Sequence, residues 1–537
     1  MPLVQRRFDR EKELTGRSSA RSASVPHRRR TATRLTCGVV LFALVCTTCR
    51  DSSEQVSQEA ESLTIGFPQA VAAADLGVQN LASNLTDEGL IQLSADGRTL
   101  PRLAENWSWD NGGLTLRVNL RNDVTMHDGT PLTGQLAADI MSKAVTNRGN
   151  RMFYTALSDV HDVTATGPLQ VSFNLSRYSA FLTEALEIPI KTGNFVGTGP
   201  YRMVKQESNE VVLERNDSYY LGRPNIARVM IKPFGALRTA WSSLLRGEVD
   251  MVTEVPPEAI EFVKSDDVQV FSFDRRYQFL VAFNSKRPPF NNRIVRRALN
   301  AAVDRRALID NALGGRGSPS TGPLWPRHWA YDQSLPSFSF DPALAISLLE
   351  NNGFRERNNP AGPPSRLRFT CLIPANFSTI ERIALNIQKQ LYDVGVDMKF
   401  EVVRAEDLDA RIRSGMFDAL LIEMVGGPTL SRAYMFWGSA KSFQGLNVFG
   451  YENPEVEKNF DVLRTTTNEG VIRSATRELQ RALLNDPPAL FLAWQQRSRA
   501  IRHDFAVIQD SEKDPVDPIY TLWRWTASRP ERVNASR

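Results

Sequence analysis

Hydrophobic positions along the chain follow two rhythms that alternate. Leu114, Leu116, Val118 and Leu120 are interleaved with Thr115, Arg117 and Asn119, the period of a half-buried strand. Val211 and Leu213, then Val229 and Ile231, repeat that period. Further on the spacing becomes helical. Asp341-Pro342 offers an N-cap and a first-turn proline, Leu344/Leu348 and Ala345/Leu349 fall at i,i+4, and Gly353 stops the run. Ser378-x-x-Glu381 has capping-box spacing, Ile383, Ile387 and Leu391 step along one face, and Gly395 ends the segment. Val396, Met398, Phe400 and Val402 then alternate with Asp397, Lys399 and Glu401. A helix delivered into a strand is the repeating unit of an α/β architecture.

The chain has 537 residues, 42% hydrophobic and 23% charged, an ordinary globular composition long enough for two lobes with separate cores. Its formal net charge of +5 is concentrated at one end. Residues 1–50 hold ten Arg and one Lys against Asp9, Glu11 and Glu13, leaving a body with a net charge of −3. A mildly acidic body without a basic stripe argues against nucleic-acid binding. Arg28-Arg29-Arg30 and Arg34 precede an apolar run from Leu35 to Val45, too short to span a bilayer, which needs about 20 residues. Basic segment, short apolar run and polar sequel read as an export signal over residues 1–49, followed by a flexible tether over 50–61. Cys46 and Cys49 close the apolar run. Cys49, preceded by small Thr47 and Thr48, is the candidate for lipidation. Beyond it only Cys371 remains, in an apolar run, so the body has no internal disulfide and Cys371 reads as a core residue.

Reactive constellations are missing. There is no Gly-x-Ser-x-Gly elbow, no His-Glu-x-x-His and no Gly-x-x-x-x-Gly-Lys-Ser/Thr loop, and the five histidines are scattered. No catalytic residues, metal site or cofactor are expected.

What the chain does contain is an ordered set of short motifs. His127-Asp128-Gly129-Thr130-Pro131-Leu132-Thr133 is followed by Gly197-Thr198-Gly199-Pro200-Tyr201, whose glycines permit positive φ ahead of a fixed proline. Glu214-Arg215-Asn216-Asp217-x-Tyr219-Tyr220 and Gly247-Glu248-x-Asp250 come next, then Phe283-Asn284 and Pro289-Phe290 with Val295-Arg296-x-Ala298-Leu299. From about residue 63 to about 500 this order resembles the extracellular solute-binding proteins of family 5, peptide- and nickel-type receptors that feed ABC importers. One departure is Gly134-Gln135-Leu136, where the family usually starts a helix with Ala-x-Asp.

The resemblance implies an α/β, two-lobed clamshell with mixed sheets and an extra subdomain in the first lobe. Lobe I is expected over 62–275, lobe II over 276–499, and a return to lobe I over 500–537. It implies a protein of the periplasm or cell envelope, a monomer that captures a small peptide or similar polar solute between its lobes and delivers it to membrane permease subunits. Closure buries such a ligand, and each lobe supplies part of the site. Peptide-binding relatives pair the peptide ammonium with an Asp after a Gly-Trp segment, but the corresponding stretch here reads Glu423-Met424-Val425-Gly426-Gly427-Pro428. Either Glu423 substitutes or the ligand lacks a free amine there. The ligand-binding candidates are Tyr277, Phe279, Glu423, Gly426, Gly427, Trp437 and Trp494. A ligand-sensing regulator on the same fold and an envelope hydrolase are the competing readings.

Overall fold

The computed structural model describes residues 60–68, 74–193, 195–359, 362–375, 377–439, 446–509 and 516–528. The basic segment, the apolar run, Cys46, Cys49 and the tether as far as residue 59 lie outside them. Strand β1 (Ala60–Pro68) already begins inside the expected tether, because Ala60, Leu63 and Ile65 are buried in a core. Burial of a Leu or Ile side chain such as Leu63 or Ile65 contributes roughly 1.5–3 kcal/mol. None of the described helices is long and apolar enough to cross a membrane.

After β1 and helix α1 (Ala74–Thr86), β2 (Ala104–Asp110) and β3 (Thr115–Leu120) open a small antiparallel sheet. Leu116, Val118 and Leu120 point into its core, as their alternation requires, while Leu114 lies just before the strand. Helix α2 (Gly134–Thr146), β4 (Val160–Gly167) and β5 (Gln170–Leu175) complete this unit, with strand order β2-β3-β5-β4. The unusual Gly134 has a steric cause: a Cβ there would lie 2.5 Å from the Gly167 carbonyl oxygen. Thr133 still caps α2, accepting from the Leu136 amide at 3.2 Å.

The chain then enters the main sheet through β6 (Tyr201–Glu207), β7 (Glu210–Arg215), β8 (Ile226–Phe234), the short β9 (Met251–Val252) and the long β10 (Val268–Phe283). Helices α3 (Arg293–Ala301) and α4 (Arg305–Leu313) follow, then β11 (Leu367–Pro374), α5 (Ser378–Tyr392), β12 (Val396–Val403) and β13 (Ala419–Val425). Helix α5 begins at Ser378 itself, with Phe377 at the cap position and no side-chain cap, so the expected capping box does not form. Asp341, by contrast, caps the Pro342–Asn351 helix through the Leu344 amide at 2.8 Å. Helices α6 (Leu430–Trp437), α7 (Pro454–Arg464) and α8 (Glu469–Asn485) lead to the second long strand, β14 (Ala489–Arg502).

These strands form one mixed sheet in the order β12-β11-β13-β10-β14-β9-β1-β8-β7-β6. Its two halves have different cores. Ile383, Ile387 and Leu391 of α5 pack with Phe283, Cys371 and Leu421 in one, and Leu63, Ile65 and Tyr201 pack with Ile519, Leu522 and Trp525 in the other. The fold is therefore a two-lobed α/β clamshell, and the antiparallel pair β10–β14 passes through the junction. A third apolar cluster joins the small sheet to α6, α7 and α8, so the extra unit of the first lobe packs on the second.

Candidate functional site

The junction between lobes is where the β10–β14 ladder breaks. Asp274 pairs with Gln496, but the next pair is Gln278 with Trp494. Four steps on β10 against two on β14 force Arg275, Arg276 and Tyr277 out of register as a bulge, a device that re-aims side chains. The bulge is anchored from β13. Both the Gly426 and Gly427 amides donate to the Arg276 carbonyl, at 2.9 and 3.1 Å. Glycine is required at 426 because a Cβ would lie 2.4 Å from the Trp494 ring, and Gly427 has φ +82°.

The three bulge residues face a cavity of ≈ 380 Å³ bounded by α1, β14 and the segment around Tyr520. A second cavity of ≈ 720 Å³ adjoins it, and Asn84, Ala95, Arg276, Arg327, Val516 and Tyr520 border both. Together these spaces suit a small polar solute. The lobes touch around them. Trp325 donates from Nε1 to the Ala95 carbonyl at 3.1 Å, Arg98 pairs with Glu469 at 2.7 Å, and Arg464 donates to the Tyr178 carbonyl at 2.6 Å.

Charge in the cavities is almost entirely balanced within the protein. On the smaller side, Arg499 forks onto Asp517 with both contacts at 2.5 Å, Arg327 meets Asp274 at 2.5 Å, and Arg497 meets Glu254 at 3.4 Å. On the larger side, Arg102 holds Glu88 at 2.5 Å and Lys191 holds Asp87 at 2.7 Å. Asp96 lies 3.4 Å from Arg98, and Glu187 lies 3.7 Å from Arg432. Arg275 donates to Glu423 at 2.6 Å and to Gln495 at 2.7 Å, and its guanidinium stacks 4.0 Å over the Tyr277 ring. Burial, with the nearby charge of Arg497, holds Arg275 below the usual arginine range. Among the described residues, the Arg276 side chain has neither hydrogen bond nor ion pair.

The sequence candidates divide by depth. Tyr277 lines the smaller cavity. Gly426 and Gly427 sit one layer behind it, holding the bulge. Glu423 stands outside the cavity lining with its carboxylate engaged by Arg275. Trp494, 2% exposed, backs the site by meeting Trp325 edge-on with ring centroids 4.8 Å apart, and Trp325 is the ring that reaches the cavity. Phe279 lies in the second-lobe core. Trp437 is 1% exposed and packs on Phe449 and Phe491, away from both cavities. Arg276, Arg327, Asn84 and Tyr520 were not nominated by sequence reasoning. A signal for the first was present: Asp274-Arg275-Arg276 places three consecutive charges inside a strand that is apolar on either side.

The recurrent motifs meet at one end of the second cavity, where Leu85, Glu88 and Pro200 border it, and the contacts they make there hold the turn. Gly197 and Gly199 do not adopt positive φ. They are glycines because Cβ atoms there would lie 2.2 Å from the Thr86 carbonyl oxygen and 2.7 Å from that of Leu85, at the end of α1. His127 clamps the same turn, accepting at Nδ1 from the Gly197 amide (3.2 Å) and bonding through Nε2 to the Gly199 carbonyl (3.0 Å). Thr198 and Tyr219 converge on the buried Glu88 at 3.0 and 2.8 Å.

Comparison with known proteins gives consistent results. The family model described as "Bacterial extracellular solute-binding proteins, family 5 Middle" matches residues 98–445. Protein XP55 of Streptomyces lividans is 27% identical over 491 residues, covering 86% of this chain and 89% of that protein. The glutathione-binding protein GsiB of Pectobacterium atrosepticum is 26% identical over 439 residues, covering 76% of this chain and 83% of that protein. Among solved structures, NikA from Brucella suis in complex with Fe(III)-EDTA superposes with a TM-score of 0.74 at 21% identity, covering 87% of this chain and 99% of the other.

Proposed function

The chain belongs to the bacterial extracellular solute-binding proteins of family 5, and on that premise we propose that it is the receptor of an ABC importer, holding a peptide or similar small polar solute between its lobes and presenting it to a membrane permease. The family consists of binding proteins, and the chemistry required of this one is capture and release. The observation that carries the reading is the bulge at Arg275–Tyr277. It lies where the strands pass from one lobe to the other and faces a cavity bordered by residues of both. A solute there contacts both lobes and so favours their closed arrangement.

Of the sequence candidates, Tyr277 is the one assigned to touch the solute, with Gly426, Gly427 and Trp494 supporting the bulge and Glu423 setting the charge of Arg275. The expected divisions at 275/276 and 499/500 fall within β10 and β14, which makes those strands the hinge. The protein acts as a monomer, exported and held at the membrane by a lipid on Cys49.

Two measurements test this reading. Trp325 and Trp523 border the cavities, so a bound solute is expected to change tryptophan fluorescence and reduce the radius of gyration in solution scattering. A protein unresponsive in both to a peptide hydrolysate is not a receptor for such solutes. Substituting Cys49→Ala is expected to move the mature protein from the detergent phase to the aqueous phase on partition. An unchanged partition removes the anchor.

A further inference from the structure

Resting on the receptor reading above, we propose that the solute carries one net negative charge, a carboxylate seated on the Arg276 guanidinium. The inference comes from the charge pattern of the whole cavity wall. Among the described residues, every acid that borders the two cavities is matched by a cation of the protein within 4 Å. Every arginine on the wall is matched by an acid except Arg276. Among the described residues the wall therefore offers one positive charge and no negative one.

Arg276 is also placed for this role. It borders both cavities, so a bound group there is reachable from either. Its backbone is fixed by two amides from the Gly426-Gly427 turn, which limits the entropy lost when the side chain engages a ligand. A guanidinium presents paired N–H donors that match a carboxylate fork. In a closed cavity a cation without a counter-ion is unfavourable, and a monoanion removes that penalty.

The same pattern disfavours other solutes. A free ammonium would enter a wall with no open carboxylate and would add to the charge of Arg276. The acid that peptide-binding relatives are expected to place after the Gly-Trp segment is replaced here by the two glycines that hold Arg276, so the position that would attract a cation instead supports one. A phosphate dianion would exceed the single available charge.

The test uses the mature protein and its Arg276→Gln and Arg276→Lys variants, each dialysed to equilibrium against yeast extract, with retained solutes released by denaturation and identified by mass spectrometry. Circular dichroism and thermal melting first establish that the variants are folded as the parent. The expected result is a retained carboxylate of net charge −1 whose amount falls at least about tenfold in Arg276→Gln and is largely restored in Arg276→Lys. Retention of a neutral, cationic or phosphate-bearing solute, or equal retention by Arg276→Gln, overturns the charge assignment while leaving the receptor reading intact. No retained solute in any of the three proteins overturns the receptor reading itself, and the inference with it.

Discussion

Two places where the lobes meet treat charge in opposite ways. At the β10 bulge, Arg276 borders the cavities and forms no ion pair among the described residues. Where α6 meets the 182–185 helical turn of the first lobe, the half-buried Glu184 turns its carboxylate towards the second lobe, accepting a hydrogen bond from the Ser431 hydroxyl. Burial pushes the Glu184 carboxyl up to about 7, against the opposing pull of Ser431, Thr429 and Arg432 and with help from Glu187. Arg432 is shared there, since it also donates to the Phe153 carbonyl at 2.8 Å and stacks over Tyr154. A cation left facing a cavity can be completed by a guest from solution. A carboxyl held half-buried in a contact is completed by a proton. The first arrangement selects a solute, and the second makes the closed contact sensitive to pH.

The largest disturbance of the second region should come from beneath it. Trp437 ends the same helix that carries Ser431 and Arg432, and its ring fills the core against Phe449 and Phe491. Trp437→Ala is expected to cost about 3–5 kcal/mol of stability in urea unfolding, with the preference among solutes unchanged. A variant of normal stability with altered solute preference would instead return Trp437 to the ligand site.

The pH response follows next. A solvated Glu184 would release its proton near its ordinary value of 4.5, whereas the half-buried group keeps it to about 7. The contact is thus fully favoured below about 4.5 and loses that contribution as pH rises to about 7, by at most about 3 kcal/mol. Glu184→Gln should flatten stability across this window. Identical pH profiles of urea midpoints for parent and variant would show that Glu184 does not control the contact.

At the bulge, Gly426→Ala is expected to cost about 1–3 kcal/mol, since the new methyl must displace the Trp494 ring or the turn that holds the Arg276 carbonyl. Solute retention should fall along with stability. Lost stability with undiminished retention would mean that Arg276 needs no anchoring from β13.

The sequence made some of this legible and not the rest, for physical reasons. Periodicity identified β3 and α5 because each buries one face against a single core, whereas in β12 the expected alternation holds for Val396 and Met398 and ends at Val402, which is exposed while Val403 turns into another core. The glycines of Gly197-Thr198-Gly199 were visible as important but not for the right reason. Their constraint is contact with the end of α1, more than a hundred residues earlier, and no local pattern contains that distance. The site was harder still. Trp437 and Trp494 look alike in sequence, yet one fills a core and the other backs a wall, a difference decided by which strand or helix lies opposite. Arg276 is singled out by having no partner among the described residues, and pairing across β10, β13 and β14 is known only once the sheet is assembled.

Glu423 gives the smallest effect and the sharpest sign. If its carboxylate faced a cationic guest, Glu423→Ala would weaken binding. Its geometry points the other way, because the carboxylate is 2.6 Å from Arg275 and that arginine lines the cavity. Removing the acid leaves Arg275 with Gln495 as its hydrogen-bond partner and the Tyr277 ring beneath it, and gives the wall a second cation without an acid beside Arg276. A half-buried pair of this kind is worth about 1 kcal/mol, so the expected change in affinity is only a few-fold. Its direction distinguishes the two accounts: calorimetry with the retained solute should show tighter binding of an anion by Glu423→Ala. Weaker binding would place Glu423 among the ligand contacts and reverse the polarity assigned to the cleft.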